Sequence, residues 1–184
     1  MVVKTIQNKK YQTIYADPPW EQGMMGKRRG HENRRLVLDY PTMTVEQIKN
    51  LPINDIASDG CHLWLWTTNQ FLRDGFDVMK SWGFKYLAPI TWVKPNGLGN
   101  YFVHRTQTIL FGYKQHCIFP LARYKPTVIE APYTFPHSTK PRVFYDFIES
   151  ISPEPRIELF SRRKVLGWDC WGNEVESDIE LQEI

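Results

Sequence analysis

The chain has 184 residues, 42% of them hydrophobic, and a formal net charge of +3. That length suits one sizeable core and is short for two, and the mild basicity permits a nucleic-acid partner without demanding one. Three scattered cysteines without zinc-type spacing, no signal peptide and no long apolar run argue against a disulfide framework, a metal site or a membrane span. The expectation is one intracellular, cytoplasmic domain over residues 1–184.

Residues 1–10 read as a polar, flexible lead-in to a short β-type segment at 11–15. That segment stops at Asp17-Pro18-Pro19-Trp20. Pro18 biases Asp17 away from helix, and neither proline can donate a backbone hydrogen bond. The strand therefore ends in a stiff bend presenting a carboxylate, free carbonyls and an indole. Asp17 and the Pro18 carbonyl are acceptors and Trp20 is a stacking platform, a set suited to a flat polar substrate with an amine. A plain turn with Trp20 as a hydrophobic plug is the structural alternative.

Residues 23–35 carry Lys27, Arg28, Arg29, Arg34 and Arg35 against Glu32 alone. They predict a basic loop beside the turn, whose phosphate contacts would be salt-sensitive. Tyr40-Pro41-Thr42-Met43 leads into a helix opened by a capping box, Thr44 with Gln47. Residues 61–68 read as a strand buried on both faces. A helix follows with Leu72, Phe76, Met79 and Trp82 along one stripe and Gly83 as its stop. Residues 86–94 and 106–113 read as further strands around a loop at 96–100. Trp66 ends its strand on the side where α/β proteins bind ligands, and Lys94 reads as a surface lysine.

The run Pro136-His137-Ser138-Thr139-Lys140-Pro141 opens a second unit, with Ser138 or Thr139 as helix cap and Pro141 in the first turn. Val143, Phe144, Phe147, Ile148 and Ile151 form the predicted buried stripe, and residues 156–160 a strand. An acidic tail at 175–184 is expected to fray. Helix, strand and polar strand end is a pattern that binds nucleoside cofactors, through helix N-termini and carboxylates on ribose hydroxyls. Lys140 can meet a carboxylate at the helix start. Glu158, between Ile157 and Leu159, needs a partner. Taken locally, solvated or ion-paired roles serve both residues as well.

Asp17-Pro18-Pro19-Trp20, His137-Ser138-x-Lys140-Pro141, Glu158-Leu159-Phe160-x-Arg162 and Gly167-Trp168-Asp169-x-Trp171-Gly172-Asn173-Glu174 follow one another across nearly the whole chain. In that order they resemble the Asp-Pro-Pro-Trp adenine-N6 methyltransferases, the MT-A70 type. The resemblance implies an α/β, Rossmann-like class I methyltransferase sheet with permuted motif order, the catalytic turn preceding the cofactor segment. It implies methyl transfer from S-adenosylmethionine to the exocyclic amine of adenine in nucleic acid, with no metal. For so compact a chain DNA is favoured and RNA is the alternative. A non-catalytic, nucleic-acid-binding subunit of a heterodimer is a further reading, and a homodimer or heterodimer is compatible with either.

By the same resemblance, Asp17, Pro18, Pro19 and Trp20 are catalytic, with Asp17 also beside the cofactor. Lys140 meets the methionine carboxylate, Arg162, Asn173 and Glu174 line the ribose and adenosine, and Glu158 and His137 stand near. Trp66 and Tyr40 lie by the target base. The basic run with Lys27, Arg28 and Arg29 is the candidate for its backbone. Two departures concern the adenine pocket and the substrate: only about ten residues precede the first strand, and Arg105-Thr106-Gln107-Thr108 stands where relatives often carry His-Glu.

Overall fold

The computed structural model describes residues 9–21, 41–98, 101–117, 119, 124–133 and 140–181. Its elements in chain order are β1 (Tyr11–Ala16), α1 (Val45–Lys49), α2 (Ile53–Ile56), β2 (Ala57–Thr67), α3 (Leu72–Ser81), β3 (Lys85–Leu98) and β4 (His104–Tyr113). β5 (Val128–Glu130), α4 (Arg142–Glu149), β6 (Arg156–Leu159) and β7 (Asp169–Trp171) complete them. The strands form one sheet of order β5-β3-β4-β2-β1-β6-β7. β4 runs antiparallel to both its neighbours, and every other pairing is parallel.

Period-2 alternation sorts the strand residues onto two apolar faces. Ile14, Ala16, Leu63, Leu65, Ile157 and Leu159 pack with Ile48 of α1, Ile53 of α2 and Val78 and Met79 of α3. Tyr15, Trp64, Trp66, Ile109 and Phe111 point the other way, onto Phe144, Tyr145 and Ile148 of α4. The sheet is thus covered on both sides, which explains why β2 carries no polar alternation. α1, between β1 and β2, lies on one face and α4, before β6, on the other. The direction of winding therefore changes beside β1, and the crevice beyond such a switch is where open α/β sheets bind ligands.

Local signals hold where they are short-range. Thr44 accepts from the Gln47 N–H at 3.2 Å, and the Gln47 side chain accepts from the Thr44 N–H at 2.9 Å, closing the predicted capping box. The face of α3 differs from the predicted stripe. Its buried side runs through Phe71, Gly75, Val78, Met79 and Trp82, while Leu72 and Phe76 are exposed. Gly75 is the reason: a Cβ there would meet Thr67 Cγ2 at 2.3 Å, so the missing side chain lets the helix lie against the end of β2. In α4, likewise, Tyr145 is buried and Val143 is exposed. Pro141 is its N-cap residue, without a side-chain cap; Ser138 and Thr139 lie outside the described residues.

Two other expectations change. β3 continues through Asn96 and Gly97 to Leu98, which pairs with His104, so residues 96–98 are strand. The acidic tail, as far as described, is docked: Asp178 accepts from the Cys170 N–H at 2.9 Å, and Ile179 and Leu181 pack on the core. Among the described residues no helix is long and apolar enough to cross a membrane.

Candidate active site

β1 delivers Asp17 to the carboxyl edge of the sheet, where the two prolines stop the ladder. The turn that follows is tied on three sides. The Trp20 N–H donates to the Pro18 carbonyl at 2.9 Å, the Met43 N–H to the Pro19 carbonyl at 2.8 Å, and the Asp17 N–H reaches the Leu159 carbonyl at 3.5 Å. The Pro18 carbonyl is therefore already engaged once, and its second lone pair is left for another donor.

The Lys140 ammonium, just before α4, forms an ion pair with Asp17 Oδ2. The lysine side chain is 10% exposed and the aspartate 29%. The ammonium also lies 4.9 Å over the Trp66 ring, a cation–π contact that is favourable away from bulk water. Asp17 and Lys140 lie 123 residues apart in the sequence; the fold makes them neighbours.

The two tryptophans of the site are both packed in the structure. Trp20 is 5% exposed, stacked on Phe71 at 5.3 Å, with its Nε1–H donated to the Trp66 carbonyl at 3.2 Å. Trp66 is fully buried, and its Nε1–H goes to the Tyr15 hydroxyl at 2.7 Å. Both indoles bury a large apolar surface and satisfy their donor, which fixes their positions beneath the turn.

Glu158 stands opposite Tyr15 in the β1–β6 ladder. One of its oxygens accepts from the Tyr145 hydroxyl at 2.9 Å, and the other is buried without a hydrogen-bond partner among the described residues. Burial pushes the carboxyl up to about 7, with Tyr145 opposing and Asp17 adding to the rise. The folded chain keeps this proton where the unfolded chain, with an ordinary value of 4.5, gives it up. Stability from this group is present below pH 4.5 and is lost as pH rises to about 7, by up to about 3 kcal/mol. Glu158→Gln is therefore expected to melt higher than wild type at pH 8 and to lose that advantage at pH 4.5; equal melting points at both values would contradict the burial argument.

Beyond Glu158 the chain bends at Phe160, whose φ of 62° is unusual for an aromatic residue. The Phe160–Trp171 ring contact at 5.3 Å and the Ser161 N–H to Trp171 carbonyl bond at 2.9 Å hold that bend. It brings Arg162 to Glu174 at 3.6 Å on an exposed rim, beside exposed Asn173. Arg162, Asn173 and Glu174 are thus brought together, at the carboxyl ends of β6 and β7. Tyr40, Lys27, Arg28, Arg29 and His137 lie outside the described residues.

Lys94 belongs to the site, although its sequence context reads as surface. Its ammonium lies 4.6 Å over Trp92 and 5.6 Å over Tyr133. Burial lowers its pKa, Lys140 repels it further and Asp17 opposes. Trp66 and Trp92 meet edge to face at 5.9 Å, so two ammonium groups sit side by side on two indoles. The only local signal was an amphipathic lysine two residues from a tryptophan at a strand end. Among the described residues no cluster of His, Cys, Asp and Glu suits a metal.

A family model described as MT-A70 matches residues 11–174. Among curated proteins, the type II methyltransferase M.MunI of Mycoplasma sp is 31% identical over 199 residues, covering 98% of this chain and 84% of that protein. An N(6)-adenosine-methyltransferase MT-A70-like protein of Drosophila melanogaster is 30% identical over 91% of this chain, and the human N(6)-adenosine-methyltransferase catalytic subunit METTL3 is 28% identical over 91%. The chain covers 27% and 28% of those two larger proteins.

Proposed function

The chain belongs to the MT-A70 family of S-adenosylmethionine-dependent adenine-N6 methyltransferases, and on that premise we propose that it methylates adenine N6 in DNA at the carboxyl end of β1. The observation that carries the proposal is the convergence of Asp17, Lys140 and Glu158 from three parts of the chain at the point where the sheet changes its winding.

The residues present fit the cofactor's polar groups. Lys140 spends one N–H on Asp17 and has others for a carboxylate, and the unpartnered Glu158 oxygen suits a hydroxyl donor. In this reading Lys140 holds the methionine carboxylate, Glu158 the ribose, and Arg162, Asn173 and Glu174 the adenosine side. The bound cofactor supplies an electrophilic methyl group on a sulfonium, which leaves as a neutral thioether.

The adenine amine is a poor nucleophile because its lone pair is delocalised into the ring. Asp17 and the second lone pair of the Pro18 carbonyl accept its two N–H groups, favouring a pyramidal nitrogen. The proton shed after transfer passes through the Asp17 carboxylate, 29% exposed, to solvent. Trp20 and Trp66 hold these acceptors in place, and positioning of this kind lowers barriers greatly. Lys94 carries a positive charge on the substrate side, and Tyr40 and the Lys27, Arg28, Arg29 run are assigned to the nucleic acid. The fold in this reading is a Rossmann-like sheet with permuted motif order.

DNA is favoured because the type II methyltransferase matches at 31% identity over 98% of this chain, against 30% and 28% over 91% for the N(6)-adenosine-methyltransferases. Those same relatives keep RNA as the second reading. DNA and RNA oligomers of one sequence, offered with methyl-labelled S-adenosylmethionine, distinguish them: label on DNA is expected. Label on RNA alone would overturn the substrate, and cofactor binding with label on neither would favour a partner-dependent, non-catalytic subunit.

A further inference from the structure

Outside the site, the most prominent exposed apolar feature among the described residues lies at the turn between β3 and β4. Tyr101, Phe102 and Val103 are 96%, 77% and 64% exposed. Three consecutive large apolar side chains left in water mark an interaction surface, because such a patch costs solubility and returns nothing to the fold.

The stem below them is braced. Gly97 approaches His104 so closely that a Cβ would meet its carbonyl oxygen at 2.4 Å. The Tyr133 hydroxyl donates to the Asn96 carbonyl at 2.6 Å, Arg105 Nε to the Lys94 carbonyl at 2.9 Å, and Asn69 contacts His104 at 3.3 Å. The apolar residues thus stand beyond a braced stem that grows directly from the site. Lys94, at its root, feels the charges of Lys140 and Asp17. Leu98 lies four residue steps along the strand from Lys94, at most about 13 Å. Residues 94–108 contain Lys94, His104 and Arg105 and no carboxylate, the nearest strand carboxylate being Glu130 opposite Val93, so this strip itself suits a phosphate backbone.

We propose that Tyr101, Phe102 and Val103 form a wedge that enters the base stack of duplex DNA beside the target adenine. The inference rests on the DNA reading above. A base reached inside a duplex must swing out of the stack into the site, at a cost of a few kcal/mol. Apolar side chains inserted between base steps partly unstack them and fill the gap, as in architectural DNA-binding proteins. The wedge stands at one side of the site, where the duplex would lie once the adenine has left it. No covalent step is involved.

The test compares wild type with Tyr101→Ser/Phe102→Ser on duplex and single-stranded DNA of one sequence, and on a duplex mismatched at the target adenine. Both positions are exposed, so the fold is expected to survive, as a melting curve checks. The double variant is expected to lose at least about tenfold in kcat/KM on the matched duplex, to stay within twofold on the single strand, and to recover on the mismatched duplex. Equal losses on all three substrates, or no loss, would overturn the wedge. A dimer of wild type that the variant cannot form, with no strand-dependent change, would assign the tip to a protein contact instead. Wild-type protein active on single strands only would overturn the wedge alone; inactivity on all DNA would overturn the reading beneath it.

Discussion

Replacing Asp17 by Asn is expected to lower kcat by about 10²–10³ while the protein stays folded. The change keeps the shape of the side chain and removes its charge, and it offers an N–H₂ where the adenine amine needs an acceptor. Losing one preorganised electrostatic partner of a reacting group typically costs that much. Asp17 is the one carboxylate of the Asp17–Trp20 turn, and the Pro18 carbonyl already spends one lone pair on Trp20. Single-turnover rates separate this from substrate binding. A variant within threefold of wild type would remove Asp17 from the chemistry.

Lys140→Met is expected to act on binding. The charge-assisted contact with a cofactor carboxylate is worth about 1.5–3 kcal/mol, so cofactor Kd should rise about 10–100-fold by calorimetry. DNA affinity without cofactor should stay within twofold. Lys140→Arg, which keeps the charge, should recover part of the loss. Because Lys140 and Asp17 touch, their substitutions should not add, and the double variant measures the coupling. Unchanged cofactor affinity with a lower turnover would make Lys140 a counter-ion of Asp17 only.

What the sequence discloses here is what is encoded over short spans. The capping box at Thr44, the halt of β1 at two prolines and the apolar β2 are each set by neighbours within a few residues. The part-buried Glu158 is half-legible: a carboxylate between Ile157 and Leu159 demands a partner, but Tyr145 becomes that partner only once α4 lies on β6. Gly75 hides the packed face of α3 because a missing side chain leaves no apolar mark.

Long-range facts stay hidden. Lys94 meets Tyr133, Lys140 and Asp17 only once distant parts of the chain are folded together, and the tail is held by Asp178 reaching back to Cys170. The tryptophans illustrate the same limit. An indole beside a catalytic turn reads as a stacking surface, yet Phe71 covers Trp20 and the core closes around Trp66. The order of the motifs carries the family, and only the packing shows what surrounds each indole.

The most direct measurement is the identity of the methylated atom. DNA incubated with the protein and S-adenosylmethionine is digested to nucleosides and read by mass spectrometry against N6-methyl and N1-methyl standards. Wild type should yield N6-methyldeoxyadenosine, and Asp17→Asn at least a hundredfold less over the same time. Methyl on another atom, or none on adenine from protein shown to bind the cofactor, would contradict the account of the Asp17 turn as the place where adenine N6 is methylated.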